Sequence, residues 1–365
     1  MTGFPSSWPD TRTYRYSLET QYDLGHEWVA TLGYQGTKSA HLTRQYNLAL
    51  LLAATQGLAF NPVVEHVDWF DNGGRSNFNA LLAEVRHQFA RSFQMNTQYR
   101  WSKAMDTGSN NYANSDYGFS LNQDYGKSDF DTTQTLKIFG IWSPTIFHGS
   151  QSWMEKVAGG WNVSGIMNAH SGFPYNPVFN SVPVTSGGVT ALASTCDAVY
   201  QTGCNGGGTT NLRPGAYLGG ASQDHSNDAF RRTGGDFSNG VPTALFPNGV
   251  PTYFTPPSFT PGPSFSAVVA GAPYGPVPGL PGIGRNAFVG PHYFDIDATL
   301  SKAFGFPNMK VLGENAKLEF RANFFNLFNK LNLWNIQNNL NDPHFGEAQN
   351  ALGSRTIEMQ ARFSF

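Results

Sequence analysis

The run Thr356-Ile357-Glu358-Met359-Gln360-Ala361-Arg362-Phe363-Ser364-Phe365 decides the fold. Ile357, Met359, Ala361, Phe363 and Phe365 are apolar; Glu358, Gln360, Arg362 and Ser364 between them are polar. Successive side chains of a strand point to opposite faces, so this ribbon has one apolar side and one wet side. A terminal strand of a soluble protein usually has its edge blunted by another segment. The closing strand of a membrane barrel instead takes its missing hydrogen bonds from a partner strand.

The alternation recurs along the chain. Tyr14, Tyr16, Leu18, Thr20 and Tyr22 oppose Arg15, Ser17, Glu19 and Gln21. Trp28, Ala30, Leu32 and Tyr34 oppose Val29, Thr31, Gly33 and Gln35. Within 79–89, Leu81, Ala83 and Val85 stand against Leu82, Glu84 and Arg86, and within 93–102, Phe93, Met95, Tyr99 and Trp101 stand against Gln94, Asn96, Gln98 and Arg100. Phe294, Ile296, Ala298 and Leu300 oppose Asp295, Asp297, Thr299 and Ser301, and Leu318, Phe320, Ala322 and Phe324 oppose Lys317, Glu319, Arg321 and Asn323. Residues 134–142 and 161–170 are more mixed and end on Trp142 and begin on Trp161. With the C-terminal run these make nine candidate strands, each of about 9–11 residues, the length that crosses a bilayer at a tilt near 45°. The fold class expected is all-β, an antiparallel transmembrane β-barrel of at least nine strands.

Composition agrees. Charged residues are 13% of the 365, about half the globular average of roughly 25%. Aromatic residues reach 14% and glycine is abundant, yet mean hydropathy is only −0.34. The longest apolar run, Leu48–Ala54, is seven residues, far short of the roughly 18 of a membrane helix. In a barrel, alternating polar and apolar residues cancel in any sliding average. A net charge of −2 argues against a nucleic-acid surface.

The links alternate in length. Asp23–Glu27 and Ala90–Ser92 are tight turns, and Gly305–Asn315 is short. The links after Gln35, over Lys103–Thr133, over Gly172–Gly290 and after Phe324 are long. Residues 36–75 leave room for a further strand. Bacterial barrels have short periplasmic turns and long outer loops. That polarity puts the C-terminus on the periplasmic side, with Tyr22, Trp28, Phe93, Phe363 and Phe365 at the inner interface and Tyr14, Tyr34, Tyr99 and Trp101 at the outer one. Arg15, Glu19, Glu84, Arg86, Arg100, Glu319 and Arg321 then face the lumen and form cross-strand ion pairs.

Chemical motifs are sparse. Gly282-Ile283-Gly284-Arg285-Asn286-Ala287 matches a GxGxxA fingerprint but follows a proline-rich stretch rather than a strand. Asp106, Asp116, Asp124, Asp129 and Asp131 crowd one loop; oxygen ligands there suit calcium, but a solvated loop is the expectation. His87 is placed at the membrane interface. Cys196 and Cys204 form a loop disulfide or remain two free thiols. Catalytic residues, metals and cofactors: none expected. Ligand contact is expected from exposed loop aromatics, Tyr112, Tyr117, Tyr125, Tyr217 and Tyr253.

Several stretches resemble one family. Gly33-Tyr34-Gln35-Gly36-Thr37-Lys38, Phe78-Asn79-Ala80-Leu81 and Tyr99-Arg100-Trp101-Ser102-Lys103-Ala104-Met105-Asp106 are similar to strand ends of Oar-like TonB-dependent outer-membrane receptors. So are Gly160-Trp161-Asn162-Val163-Ser164-Gly165-Ile166 with Ser171-Gly172-Phe173-Pro174, and, most specifically, Phe320-Arg321-Ala322-Asn323-Phe324-Phe325-Asn326-Leu327-Phe328-Asn329. The resemblance implies a barrel closed by further strands, an N-terminal plug that contacts TonB, and uptake of a scarce or bulky ligand. It also implies that Ile357, Met359, Ala361, Phe363 and Phe365 act as the β-signal for the barrel-assembly machinery. On this reading residues 1–12 lead in, 13–365 are the C-terminal part of the barrel, and 172–290 are an outer insert. The plug and its TonB contact lie outside the sequence, and no secretory leader precedes Thr13. Partners are outer-membrane lipid and the missing strands, and the location is the cell outer membrane. The alternatives are a soluble secreted carbohydrate-binding β-protein and a small self-closing porin. A soluble sandwich would bury Tyr16, Leu32, Val85 and Phe320 between two sheets.

Overall fold

The structure is a computed structural model. It describes residues 2–48, 67–90, 92–109, 120–144, 157, 159–179, 181–186, 189–194, 213–217, 237–238, 250–251, 254–255, 259–260, 277–278, 280–306, 316–340, 342 and 345–364. Nine long strands build the wall: β1 Arg12–Gly25, β2 Trp28–Asn47, β3 Asp68–Ala90, β4 Phe93–Asp106, β5 Gln134–Trp142, β6 Trp161–His170, β7 Tyr293–Gly305, β8 Lys317–Phe325 and β9 Thr356–Ser364. They pair in chain order, each antiparallel to the next, in a single sheet.

All nine candidate strands are present, and β5 and β6 have the expected bounds. The even length of 9–11 residues is not observed: β2 has 20 residues and β3 has 23. Their ladder runs on from Gly36↔Asn79 to Asn47↔Asp68, with register shifts around Leu42. Beyond Gln35 polar residues occupy both faces, so the hydrophobic signal stops, while backbone groups still need partners and keep pairing. The further strand allowed for in 36–75 is therefore, over its described residues, the continuation of these two. The β1–β2 turn closes with three left-handed residues, Gly25, His26 and Glu27 (φ 77°, 53° and 65°). Asp23 Oδ1 fixes it by accepting the Gly25 N–H at 2.8 Å.

Register divides the sheet into two faces. Leu18↔Tyr34, Tyr34↔Leu81 and Leu81↔Trp101 continue one apolar row across β1–β4. Leu300↔Ala322, Phe320↔Ala361 and Phe324↔Ile357 do the same across β7–β9. The alternate residues form the polar face. Among the described residues no second layer covers the apolar side: Tyr16, Leu32, Val85 and Phe320 are 45%, 51%, 37% and 48% exposed. A soluble sandwich gains about 1.5–3 kcal/mol from burying each such side chain, so the sandwich alternative is excluded. Aromatic side chains cluster at both ends of the apolar face. Tyr22, Trp28, Phe93, Trp142, Trp161, Phe304 and Phe363 lie toward the short links, and Tyr14, Tyr16, Tyr34, Tyr99 and Trp101 toward the long ones. Phe365 lies outside the described residues.

The dry core is elsewhere. Phe179, Phe288 and Leu340 are fully buried and Phe345 nearly so. All four belong to the long connections, whose described parts pack into a layer at one end of the wall. The insert carries a hairpin, Ser181–Ser186 with Val189–Ser194.

Candidate functional site

The polar face of the wall carries a hollow of about 590 Å³ bounded by β4–β8. A hollow made by one sheet requires that sheet to curl toward it, so the polar face is concave and the apolar face convex. Gln98 pairs with Lys137, and Lys137 with Asn168. Thr299 pairs with Ser164 and Asn323 and donates its hydroxyl to Asn323 Oδ1 at 3.0 Å. Asp297 Oδ1 accepts the Asn326 N–H at 2.9 Å, which holds the end of β8 against β7.

The seven charged residues expected on the wet side share this face. Their partners differ from the cross-strand ion pairs expected. Glu84 accepts from the amides of Asn96 (2.9 Å) and Gln98 (3.2 Å). Arg100 donates to the hydroxyls of Thr132 and Thr135, each at 3.2 Å. Glu19 accepts from Gln21. The one ion pair recorded among these seven in the described residues, Arg321–Glu319 at 3.0 Å, runs along a single strand. The cause is register: Glu84 faces Gln98 and Thr31, and Arg86 faces Asn96 and Val29, so uncharged side chains stand where countercharges were expected.

The loop layer is built on two arginines. Arg285, 8% exposed, donates Nη1 to Asp106 Oδ1 (2.5 Å) and to the Asp106 carbonyl (2.8 Å). Its Nη2 reaches Ser109 Oγ (2.7 Å) and Asp129 Oδ1 (3.1 Å). Ser128 donates to the other Asp106 oxygen. Asn286 adds bonds to the Lys127 carbonyl (2.8 Å) and Asp129 Oδ1 (2.6 Å). Gly126 lies so close to Arg285 that a Cβ there would strike the Arg285 carbonyl. Arg213, fully buried, donates to the carbonyls of Ile283 (3.1 Å) and Gln123 (2.7 Å). The same layer holds an aromatic cluster of Tyr175, Tyr217, Phe254, Phe288 and Phe345, with ring centroids 5.1–6.0 Å apart. Burial and the neighbouring Tyr217 push the Tyr175 phenol above its ordinary range.

This overturns the solvated-loop reading of the aspartate cluster. Asp106, Asp124 and Asp131 are buried, and a buried carboxylate persists only when paired and hydrogen-bonded. Burial raises the Asp131 carboxyl, and the Ala104 N–H at 2.7 Å offsets only part of this. No metal-binding group of His, Cys, Asp and Glu occurs among the described residues. The GxGxxA stretch has a structural role: its Arg285 and Asn286 pin the described residues of the 106–131 loop. Sequence reasoning missed this role. The one available signal was charge, because 103–133 sets five aspartates against Lys103 and Lys127 and so calls for a cation from elsewhere.

In the extensions of β2 and β3 beyond the membrane, Arg44 clamps Asp71 with two bonds, 2.7 and 2.9 Å, and lies 4.6 Å over the Tyr46 ring. Burial alone raises the Asp71 carboxyl, but bonds from Arg44 and from the Gly73 N–H outweigh it and hold the group below its ordinary value. Burial, then Asp71, push the Tyr46 phenol up to about 12.

Of the aromatic ligand contacts expected, Tyr125 and Tyr217 are half-buried rather than exposed. Tyr125 lies under Arg75 at 4.5 Å, and Tyr217 belongs to the aromatic cluster. Both rings serve loop packing. Tyr112, Tyr117, Tyr253, Cys196, Cys204 and Asp116 lie outside the described residues. His87 packs at 4.7 Å against Trp28 and 5.3 Å against Phe93, in the aromatic row at the short-link end. Ile357, Met359, Ala361 and Phe363 share the convex face of β9.

Comparison with curated proteins gives no significant match. Among solved structures the fold is similar to the outer membrane transporter YddB from Escherichia coli, at 8% identity and TM-score 0.41 over 98% of this chain and 32% of that one. It is similar also to the ferric-catecholate import receptor Fiu from E. coli K12, at 10% identity and TM-score 0.40 over 96% and 27%. The ferripyoverdine receptor of Pseudomonas aeruginosa matches at 10% and 0.38 over 96% and 26%. The chain thus spans about a quarter to a third of the length of these proteins, and scores this low add nothing to the assignment. The family model for the outer membrane beta barrel domain matches residues 1–358. An antiparallel sheet with a convex apolar face, aromatic rows at both rims and a concave polar face is the wall such a domain requires, and the chain belongs to the outer membrane beta barrel domain family.

Proposed function

We propose that this chain is the C-terminal part of the barrel of a TonB-dependent, Oar-like receptor that imports a scarce or bulky ligand. The observation that carries the reading is the opposition of faces: convex apolar to lipid, concave polar to an aqueous lumen. Arg15, Glu19, Glu84, Arg86, Arg100, Glu319 and Arg321 then line the lumen. The short links face the periplasm and the long links, including the 172–290 insert, face outward. Tyr112, Tyr117 and Tyr253, in the long links, remain the proposed ligand contacts.

Among the described residues the wall is not closed. β1 and β9 run in the same direction, because nine is odd, so they cannot seal as the antiparallel pair that bacterial barrels use. Unpaired edge backbone in lipid costs several kcal/mol per group. Further strands beside β1 and β9 meet this need, which supports a larger barrel over a small self-closing porin. The plug and its TonB contact belong to that larger protein, and β9 serves the barrel-assembly machinery as its signal.

The reading is tested by fractionating cells that express the receptor. It predicts recovery in the outer membrane as a band whose electrophoretic mobility changes on boiling. Recovery as a folded monomer in the aqueous fraction would reject it.

A further inference from the structure

The convex face changes character beyond its outer aromatic row. Tyr34, Leu81 and Trp101 stand in register across β2–β4. One step further toward the long links stand Tyr16, Gly36, Asn79 and Lys103, then Tyr14, Lys38, Asn77 and Met105, then Arg12, Ala40 and Arg75. These rows hold four cations and no acidic residue. Arg75 is engaged by Asn122 at 3.1 Å and by the Tyr125 ring. Arg12, Lys38 and Lys103 are exposed and make no ion pair among the described residues. Asp131, the carboxylate that feels the charge of Lys103, is buried and bonded to the Ala104 N–H on the other face of β4.

A hydrogen-bonded platform lies between the two lysines. The Tyr16 and Tyr34 hydroxyls both donate to Asn79 Oδ1, at 2.8 and 2.7 Å, and the Asn79 amide donates to Asn77. Gly36 makes room for this: a Cβ there would strike the Tyr16 ring. Each phenol oxygen, having given its proton, keeps lone pairs for a further donor such as a sugar hydroxyl. Lys38 and Lys103 flank the platform two strands and two residues apart. Strand spacing of about 4.8 Å and a rise of about 3.4 Å per residue put their Cα atoms roughly 12 Å apart. A glycerophospholipid offers one phosphate. Separated cations around a hydroxyl-accepting platform match a sugar headgroup that carries phosphates at both ends. Beneath the platform, Leu18, Leu32 and Leu81 are exposed and give acyl chains an apolar bed. A plug occupies the concave side, and β2–β4 have strand neighbours on both sides, so this convex site stays open in the larger barrel.

The geometry points to a binding site for a phosphorylated glycolipid of the outer leaflet. Lys38 and Lys103 each meet a phosphate, and the Tyr16 and Tyr34 phenol oxygens accept from the sugar between them. The acyl chains descend over Leu18, Leu32 and Leu81. This site rests on the reading that the convex face meets lipid and the long links face outward.

The test titrates diphosphoryl lipid A onto the delipidated full-length protein in neutral detergent, with bound lipid counted by native mass spectrometry. Saturable binding is expected. Lys38→Gln and Lys103→Gln each weaken it about five-fold, and the double variant about twenty-five-fold. Removing both phosphates from the lipid weakens binding to the wild type by a similar factor but changes nothing in the double variant. Lys137→Gln, on the concave face, leaves binding unchanged. Heat-modifiable mobility confirms that each variant is folded. Undiminished binding in the double variant overturns the site. So does equal competition by phosphatidylglycerol, which would mean that any anionic lipid suffices, or by inorganic phosphate, which would mean that a free anion does. Two cysteine variants lacking Cys196 and Cys204 separate this failure from failure of the orientation. Gly284 is exposed, with open space where a Cβ would stand. If Gly284→Cys reacts with an impermeant maleimide on intact cells and Leu32→Cys stays protected in isolated outer membranes, only the site is wrong. If either result is reversed, the orientation beneath it has failed.

Discussion

At the scale of single residues, Arg285 does most to organise the chain. It joins Asp106, Ser109 and Asp129 to a segment up to 179 positions away. Removing one partner of a buried ion pair leaves an uncompensated charge, at a cost of about 3–5 kcal/mol. Arg285→Ala is therefore expected to open the loop layer, read as new proteolytic cleavage between 106 and 131 on intact cells. Arg285→Lys should restore little, because an ammonium cannot reproduce the two-pronged geometry. Asp71 gives a pH signature. Its folded carboxyl is held below the ordinary value, so its contribution is present above the unfolded pKa and is lost as pH falls through the lower folded one. Amide exchange in the paired ends of β2 and β3 should accelerate below about pH 4, the range of an unperturbed aspartate, and Asp71→Asn should remove that dependence. Sequence reading found the Asp106–Asp131 cluster but not its cation. Lone arginines in a glycine-rich insert have no periodic signal, and their partners become adjacent only after the wall has formed.

At the scale of elements, period-2 patterning located every wall strand. Wherever one face is greasy and the other wet, a one-residue slip exchanges the two faces, so register is strongly set. The same physics explains the errors. β2 and β3 lengthen beyond the membrane, where both faces are polar and nothing but backbone pairing records the strand. The expected ion pairs on the wet face depended on which residues stand opposite one another, and register offsets are not visible in any one strand. β9 offers a paired test. Met359 is 86% exposed on the convex face, and Gln360 is its neighbour on the concave face. Met359→Arg should lower barrel stability by about 2–4 kcal/mol, as expected of a cation on the lipid face near the midplane. Gln360→Arg should shift it by less than about 0.5 kcal/mol, a typical surface effect. Denaturant titration in lipid vesicles measures both. Lys302 shows how a cation is tolerated on the convex side. It lies near the short-link rim, reaches the Val157 carbonyl at 2.7 Å and sits 5.1 Å from the Trp161 and Phe304 rings. A long side chain near an interface can carry its charge out of the hydrocarbon in this way.

At the scale of the whole molecule, one sheet separates two solvents, and its packed interior lies in the loops at one end. The claim beneath every assignment is that the convex side meets lipid and the concave side meets water. A cysteine scan of β8 tests it directly. With Cys196 and Cys204 replaced by serine, cysteines are placed singly at Leu318, Glu319, Phe320, Arg321, Ala322 and Asn323 of the full-length protein in outer membranes. Each is then exposed to a membrane-impermeant maleimide. The account predicts reaction at 319, 321 and 323 and protection at 318, 320 and 322, with protection lost once the bilayer is dissolved by denaturing detergent. Uniform labelling, or the inverse alternation, would contradict it.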